Sequence, residues 1–332
     1  MGREATTRSG VVEGRYDAHV TRNPDLITSP IWLPATLIGG VLQAWRTAVQ
    51  RRVSQTLSLN AAGLVRYLYG LPFAIAIACF YQFLIAPAPI PAMGMLFVPF
   101  CAAAGLAQIV ATNLLLMAFE QRNFVVGTAY SKTEAVQGAL LSMLLLGERL
   151  SLLAWAGIVA GVIGVMILST GGKRMASGEL LRALGQPAAR YGIASGLFFA
   201  LTAVAVRRST AEIATDDPIR SALSALVVTI ALQTLMQGGW LFWRERSQVR
   251  AVFASWRVSG QVGLLSALGS ACWFTGFATA PVALVRIVGQ VEMVFTLGFA
   301  HFYLRERLRG SEVAGLGLVV LGVVLALGGS VR

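Results

Sequence analysis

The chain has 332 residues, 56% of them hydrophobic and 13% charged, and its apolar residues stand in long runs that no single soluble core would bury. This excludes an ordinary soluble protein and points to a multi-span membrane protein. The formal charge of +12 does not indicate nucleic acid, because the arginines lie in short clusters between apolar runs, where lipid head groups are the natural counterions.

Residues 1–30 form a polar, disordered tail in which Arg3, Arg8, Arg15 and Arg22 alternate with Glu4, Glu13, Asp17 and Asp25, with no apolar core of a signal peptide. Apolar runs follow at 31–50, 60–84, 94–119, 124–147, 151–170, 188–208, 218–243, 259–279, 282–304 and 311–329. Each is near the ~20 residues that cross a bilayer as helix. The first is the weakest, since Gln43 and Arg46 interrupt it. Trp240, Trp243, Trp256 and Trp273 lie near span ends and read as interface anchors.

The stretch 124–171 occurs twice. Shifted forward by 158 residues, it lays Glu134 on Glu292, Glu148 on Glu306, Arg149 on Arg307 and Gly157 on Gly315. Chance overlap of apolar letters does not match two separated glutamates and an arginine at one offset, so the chain is an internal duplication. The first repeat occupies 31–171, a connecting loop 172–187 and the second repeat 188–329. Five spans per repeat is an odd number, so the second copy enters the membrane in the opposite sense. The expected fold is an all-α integral membrane protein of ten transmembrane helices in two inverted five-helix repeats, with both termini on one side. Lys and Arg gather on the face opposite the termini, which the positive-inside rule makes cytoplasmic.

Each half closes with a short charged hinge, Gly147-Glu148-Arg149-Leu150 or Arg305-Glu306-Arg307-Leu308, before a Gly-rich last span, and Arg66-Tyr67 stands in the second span. In these features the chain resembles the EamA-type transporters of the drug/metabolite transporter superfamily. It departs from them where the fourth span often carries a proline, having Glu134-Ala135 there, and Val291-Glu292-Met293 in the ninth. The resemblance implies a secondary carrier, often an exporter of small metabolites in the bacterial inner membrane, with cytoplasmic termini. This conflicts with the arginine count, so the sequence leaves the orientation open.

An ionised carboxylate at mid-membrane costs on the order of 2.5–3.5 kcal/mol even on insertion scales, so Glu134 and Glu292 need a reason to be there. The functional reading makes them proton or cation sites facing one cavity; the alternative is a static pair held by arginines. On helical spacing Tyr130, Ser131, Gln137 and Gly138 share the Glu134 face and line the cavity, while Lys132 points off it, toward a neighbouring span or another wall. In the ninth span Gly289, Phe295 and Thr296 flank Glu292, and Arg286 and Gln290 form their own i,i+4 pair. Arg66, about two turns inside its span, needs a partner. The predicted site is therefore Glu134, Glu292, Tyr130, Ser131, Lys132, Gln137, Arg66, Arg286, Gln290 and Thr296. Its cations outnumber its carboxylates, which favours an anionic or zwitterionic metabolite over a lipophilic cation.

Gly157, Gly161 and Gly164, with Gly315, Gly317 and Gly322, read as close packing of the fifth and tenth spans, away from the transport path. Glu148-Arg149 and Glu306-Arg307 read as wet turns before the capping residues Ser151 and Ser311. No GxSxG elbow, HExxH or paired-cysteine pattern occurs. Cys79, Cys101 and Cys272 all lie inside apolar runs, and His19 and His301 stand apart. No enzyme, metal or cofactor is expected. The competing functions are a non-transporting assembly or scaffold subunit and an organic-cation drug efflux carrier. The carrier is expected in the lipid bilayer as a monomer or homodimer.

Overall fold

The structure, a computed structural model, describes residues 27–54, 56–120, 130–169, 186–295 and 310–330. Among these the helices are α1 (Trp32–Ser54), α2 (Leu59–Leu68), α3 (Gly70–Phe80), α4 (Phe97–Glu120), α5 (Glu134–Leu146), α6 (Leu152–Ser169), α7 (Pro187–Ala211), α8 (Pro218–Arg244), α9 (Arg246–Ala254), α10 (Trp256–Thr279), α11 (Val282–Gly289) and α12 (Gly310–Ser330). A π turn, Tyr81–Ile85, extends α3. The described residues hold no strand, only an isolated antiparallel bridge between Met93 and Ile213.

Among the described residues, five helical stretches are long and apolar enough to cross a membrane: Leu59–Ile85, Phe97–Ala118, Pro187–Ala211, Pro218–Arg244 and Trp256–Thr279. Glu134–Leu146, Leu152–Leu168 and Val313–Gly329 are shorter apolar helices. Their ends follow local chemistry. Asp217 caps α8, accepting the N–H groups of Ile219 at 3.0 Å and Arg220 at 3.2 Å, with Pro218 placed where a missing N–H costs nothing. Ser58 caps α2 by accepting the Ala61 N–H. Gly147 ends α5 in the left-handed region at φ 73°, a backbone conformation strained for residues with a side chain.

Equivalent helices of the two repeats meet antiparallel. Gly157 of α6 lies on Gly322 of α12 and Gly164 on Gly315, so residue numbers rise along one helix as they fall along the other. The start of α2 is tied to the end of α8, since Ser58 and Asn60 both donate to the Glu245 carboxylate. At the opposite end, the Tyr81 hydroxyl donates to Asp217 at 3.0 Å. The remaining pairings obey the same exchange: α1 packs on α10 as α7 packs on α4, and α11 on α1 as α5 on α7.

The stretch between α8 and α10 holds an amphipathic helix, α9, whose Val252 is buried against the α2 region while Arg250 faces out. One local reading of the sequence is corrected. Glu148, read as part of a wet turn, is fully buried. It accepts the Val282 N–H at 3.0 Å, capping α11, and lies 3.9 Å from the Arg207 Nε. Arg207 also donates to the Phe277 and Ala280 carbonyls at 2.8 and 2.9 Å. A turn looks wet when only its own charges are considered; here the start of α11 and the flank of α7 fold over it.

Burial pushes the Glu148 carboxyl above the usual range, against the pull of the Val282 N–H and Arg207. A carboxyl raised on folding binds its proton more tightly in the native state than in the unfolded chain. The stability it contributes is complete below the unfolded value and is lost as pH rises through the folded one. Thermal unfolding of the purified protein should therefore show a component that falls with rising pH above the ordinary carboxyl range. Glu148→Gln should remove it, and an identical pH slope in that variant would refute the assignment.

Candidate functional site

Spans four and nine, expected as unbroken helices, are both interrupted, and at equivalent points. In the first repeat the chain tightens at Lys132-Thr133: the Thr133 N–H and hydroxyl both bond the Tyr130 carbonyl, at 3.2 and 2.6 Å, and α5 begins at Glu134. In the second, α11 ends at Gly289, and the N–H groups of Gln290 and Val291 bond back only three residues, to Ile287 and Val288. Glu292 follows the break as Glu134 does. Short i to i−3 stretches inside a helix mark a hinge or a local conflict, and Ser131 and Thr133 are residues whose hydroxyls compete for backbone carbonyls. Glu134 sits in the first turn of α5, where a negative charge is favoured by the helix dipole.

The two carboxylates are held by cations from opposite repeats. Glu134 Oε1 lies 3.7 Å from Arg286 Nη1, and Glu292 Oε2 lies 4.0 Å from Lys132 Nζ. Gln43 of α1 donates to Glu292 Oε2 at 2.7 Å. Arg286 is further fixed by donating to the Phe199 carbonyl at 2.6 Å, with its guanidinium over the rings of Phe277 and Trp273. All four ionisable side chains keep some exposure, from 12% for Arg286 to 21% for Glu134.

The other predicted residues are distributed differently. Tyr130 is buried among Ala188 and Ala189 of α7, and Gln137 donates to Thr133 at 2.9 Å and to the Ile193 carbonyl of α7 at 3.3 Å. Ser131 is buried, its carbonyl against Gly196 of α7. The polar stripe of the fourth span thus turns toward α7. Gln290 does not pair with Arg286; its amide abuts Gly161 of α6 with neither polar atom hydrogen-bonded. Arg66 is buried at 6% exposure, its Nη1 3.4 Å from the Thr112 hydroxyl and its guanidinium 5.6 Å from the Tyr67 ring centre. Thr296 and the second hinge, Glu306-Arg307, lie outside the described residues.

Sequence reasoning missed Gln43 and Arg46. Both lie on α1, and Arg46 is within electrostatic reach of Arg66, Glu292 and Tyr67. The signal was present: two polar residues three apart in an apolar run share a helix face.

A family model described as the EamA-like transporter family matches residues 30–170 and again 186–328. The chain belongs to the EamA-like transporter family, in the drug/metabolite transporter superfamily, and is a multi-pass membrane protein. A solved structure titled only "Crystal structure of protein" is 19% identical with a TM-score of 0.62, covering 89% of this chain and 98% of that one; it shares the fold. No curated protein matches.

Proposed function

We propose that this chain is a secondary active transporter that exports a small anionic or zwitterionic metabolite, coupled to protons through Glu134 and Glu292. It does so as ten spans in two inverted repeats, with both termini on one side of a bacterial inner membrane. The single observation that carries this reading is the pair of carboxylates at equivalent helix breaks, each held by a cation of the opposite repeat. The antiparallel meeting of α6 with α12 supports the inversion.

A proton on Glu134 weakens its hold on Arg286, and a proton on Glu292 weakens its hold on Lys132. Both events free a positive charge and loosen a link between halves, and broken helices at a repeat interface are where alternating-access carriers place their sites. A freed cation strengthens binding of an anionic group, so proton and solute travel together. A monoanion leaving with one proton is electroneutral, and its own gradient drives export. For an organic cation the same protonation removes the attraction and gives exchange; the excess of cations in the interior disfavours that drug-efflux reading. A scaffold subunit has no use for a charged, partly exposed cluster at hinge points.

The test begins with metabolite profiling of cells with and without the protein, to find a solute. In proteoliposomes loaded with it, efflux should rise when the solute side is made acidic. Glu134→Gln combined with Glu292→Gln should abolish that response while the protein still elutes as a single species. Unchanged gradient dependence in the double variant would make the glutamates structural.

A further inference from the structure

Near Glu292 the interior holds an unusual surplus of buried donors. Among the described residues, Arg46 Nε, Arg66 Nε and Tyr67 Oη are all buried and have no hydrogen-bond partner. Arg66 is 6% and Tyr67 3% exposed. Arg46 lies within electrostatic reach of both, so α1 and α2 bring two guanidinium groups and a phenol to one place. Neither arginine has a carboxylate within salt-bridge distance among the described residues; Glu292, within electrostatic reach of Arg46, already serves Lys132 and Gln43. Arg66 has only a long bond to the Thr112 hydroxyl. Two like charges side by side in a low-dielectric interior repel, and each unpaired donor carries its full desolvation cost. An arrangement of this kind is relieved by an acceptor that takes several N–H and O–H groups at once, and the planar guanidinium fork matches carboxylate and phosphate oxygens.

We infer that Arg46, Arg66 and Tyr67 form an oxyanion subsite that receives the carboxylate or phosphate group of a soluble solute. This deepens the transporter reading by naming the group recognised and the side chains that take it. Through Arg46 the subsite lies within electrostatic reach of Glu292. It explains why Arg66 stands deep in an apolar span without a carboxylate of its own. Lysine at either position keeps the charge but loses the fork, so it should bind an oxyanion less well.

Inorganic phosphate is the probe. The full-length protein, purified in neutral detergent, is treated with phenylglyoxal and the modified arginines are read by peptide mass spectrometry, with and without phosphate and against chloride at equal ionic strength. Phosphate should protect Arg46 and Arg66 at least several-fold while leaving Arg244 and Arg246 unprotected. Equal labelling with and without phosphate overturns the inference, and so does protection given only by added phosphatidylglycerol, which would make the occupant a lipid head group. Phosphate should also raise the unfolding temperature of the wild type saturably. Arg66→Lys should need at least tenfold more phosphate for the same rise, and Arg246→Lys, at an exposed position, no more than the wild type; an unaltered titration in Arg66→Lys again overturns it. These measurements need no turnover. Protection without any proton-linked flux would leave the subsite standing and remove the proton-coupled reading, whereas coupled flux without protection would do the reverse.

Discussion

Leucine at Gly157 or at Gly322 should leave almost no monodisperse protein, while leucine at Gly317 should behave as the wild type. A Cβ on Gly157 would stand 2.5 Å from the Gly322 carbonyl oxygen and 2.8 Å from the Ala326 nitrogen; one on Gly322 would stand 2.6 Å from the Gly157 oxygen. These are backbone atoms of facing helices, which cannot swing aside as a side-chain tip does. Overfilling a packed core already costs about 1–3 kcal/mol when side chains can adjust. Here α6 and α12 must separate along their whole seam, since Gly164 and Gly315 are in equally close contact. Lipid supplies no hydrophobic force to bring them back, because close packing is itself the main attraction between helices in a membrane. Gly317, on the same helix, has nothing within 4 Å of its would-be Cβ and provides the control. Gel filtration and thermal unfolding decide the matter, and a Gly157→Leu protein indistinguishable from wild type would refute the close seam.

The second large effect is expected at Arg286. Arg286→Met strips Glu134 of the cation 3.7 Å away and removes the guanidinium bond to the Phe199 carbonyl; losing one member of a fully buried pair costs about 3–5 kcal/mol and an exposed pair is worth about 0–1, and this half-buried pair falls between. Adding Glu134→Gln to that variant should recover a large part of the loss, since the uncompensated charge is then gone, and a double-mutant cycle isolates the coupling. Lys132→Met should cost less. Its separation from Glu292 is the longer one, at 4.0 Å, and Gln43 continues to donate to that carboxylate. Stability additive across the Arg286 and Glu134 cycle would mean that the two side chains do not interact.

The two-repeat organisation was legible because duplication leaves charged residues at a constant offset, and the Gly157 and Gly322 seam because glycine in an apolar helix has few other uses. The helix breaks were not. Apolar periodicity reports that a segment is buried, not whether its hydrogen bonds run without interruption; the cue lay in Ser131, which reads equally well as cavity wall, and in Thr133, which the polar stripe leaves out. Glu134, Lys132 and Arg286 were identified, but their pairing across the repeats was not, since which helix lies opposite a charge is a tertiary fact. The same limit hid the burial of Glu148. Gln43 and Arg46 were visible and were discounted, because an interruption in an apolar run was read as a weak span and not as a polar face.

The crossed ion pairs make each half of the chain dependent on the other. Lys132 neutralises a glutamate that its own half does not contain, and Arg286 does the same in return. A protein of half this length with the same residues would meet that need only beside a second copy lying head to foot, which requires one polypeptide to insert both ways in equal numbers. Joining the halves in one chain fixes the ratio at one to one. It also releases the two copies from identity, so that a lysine can serve one carboxylate and an arginine the other.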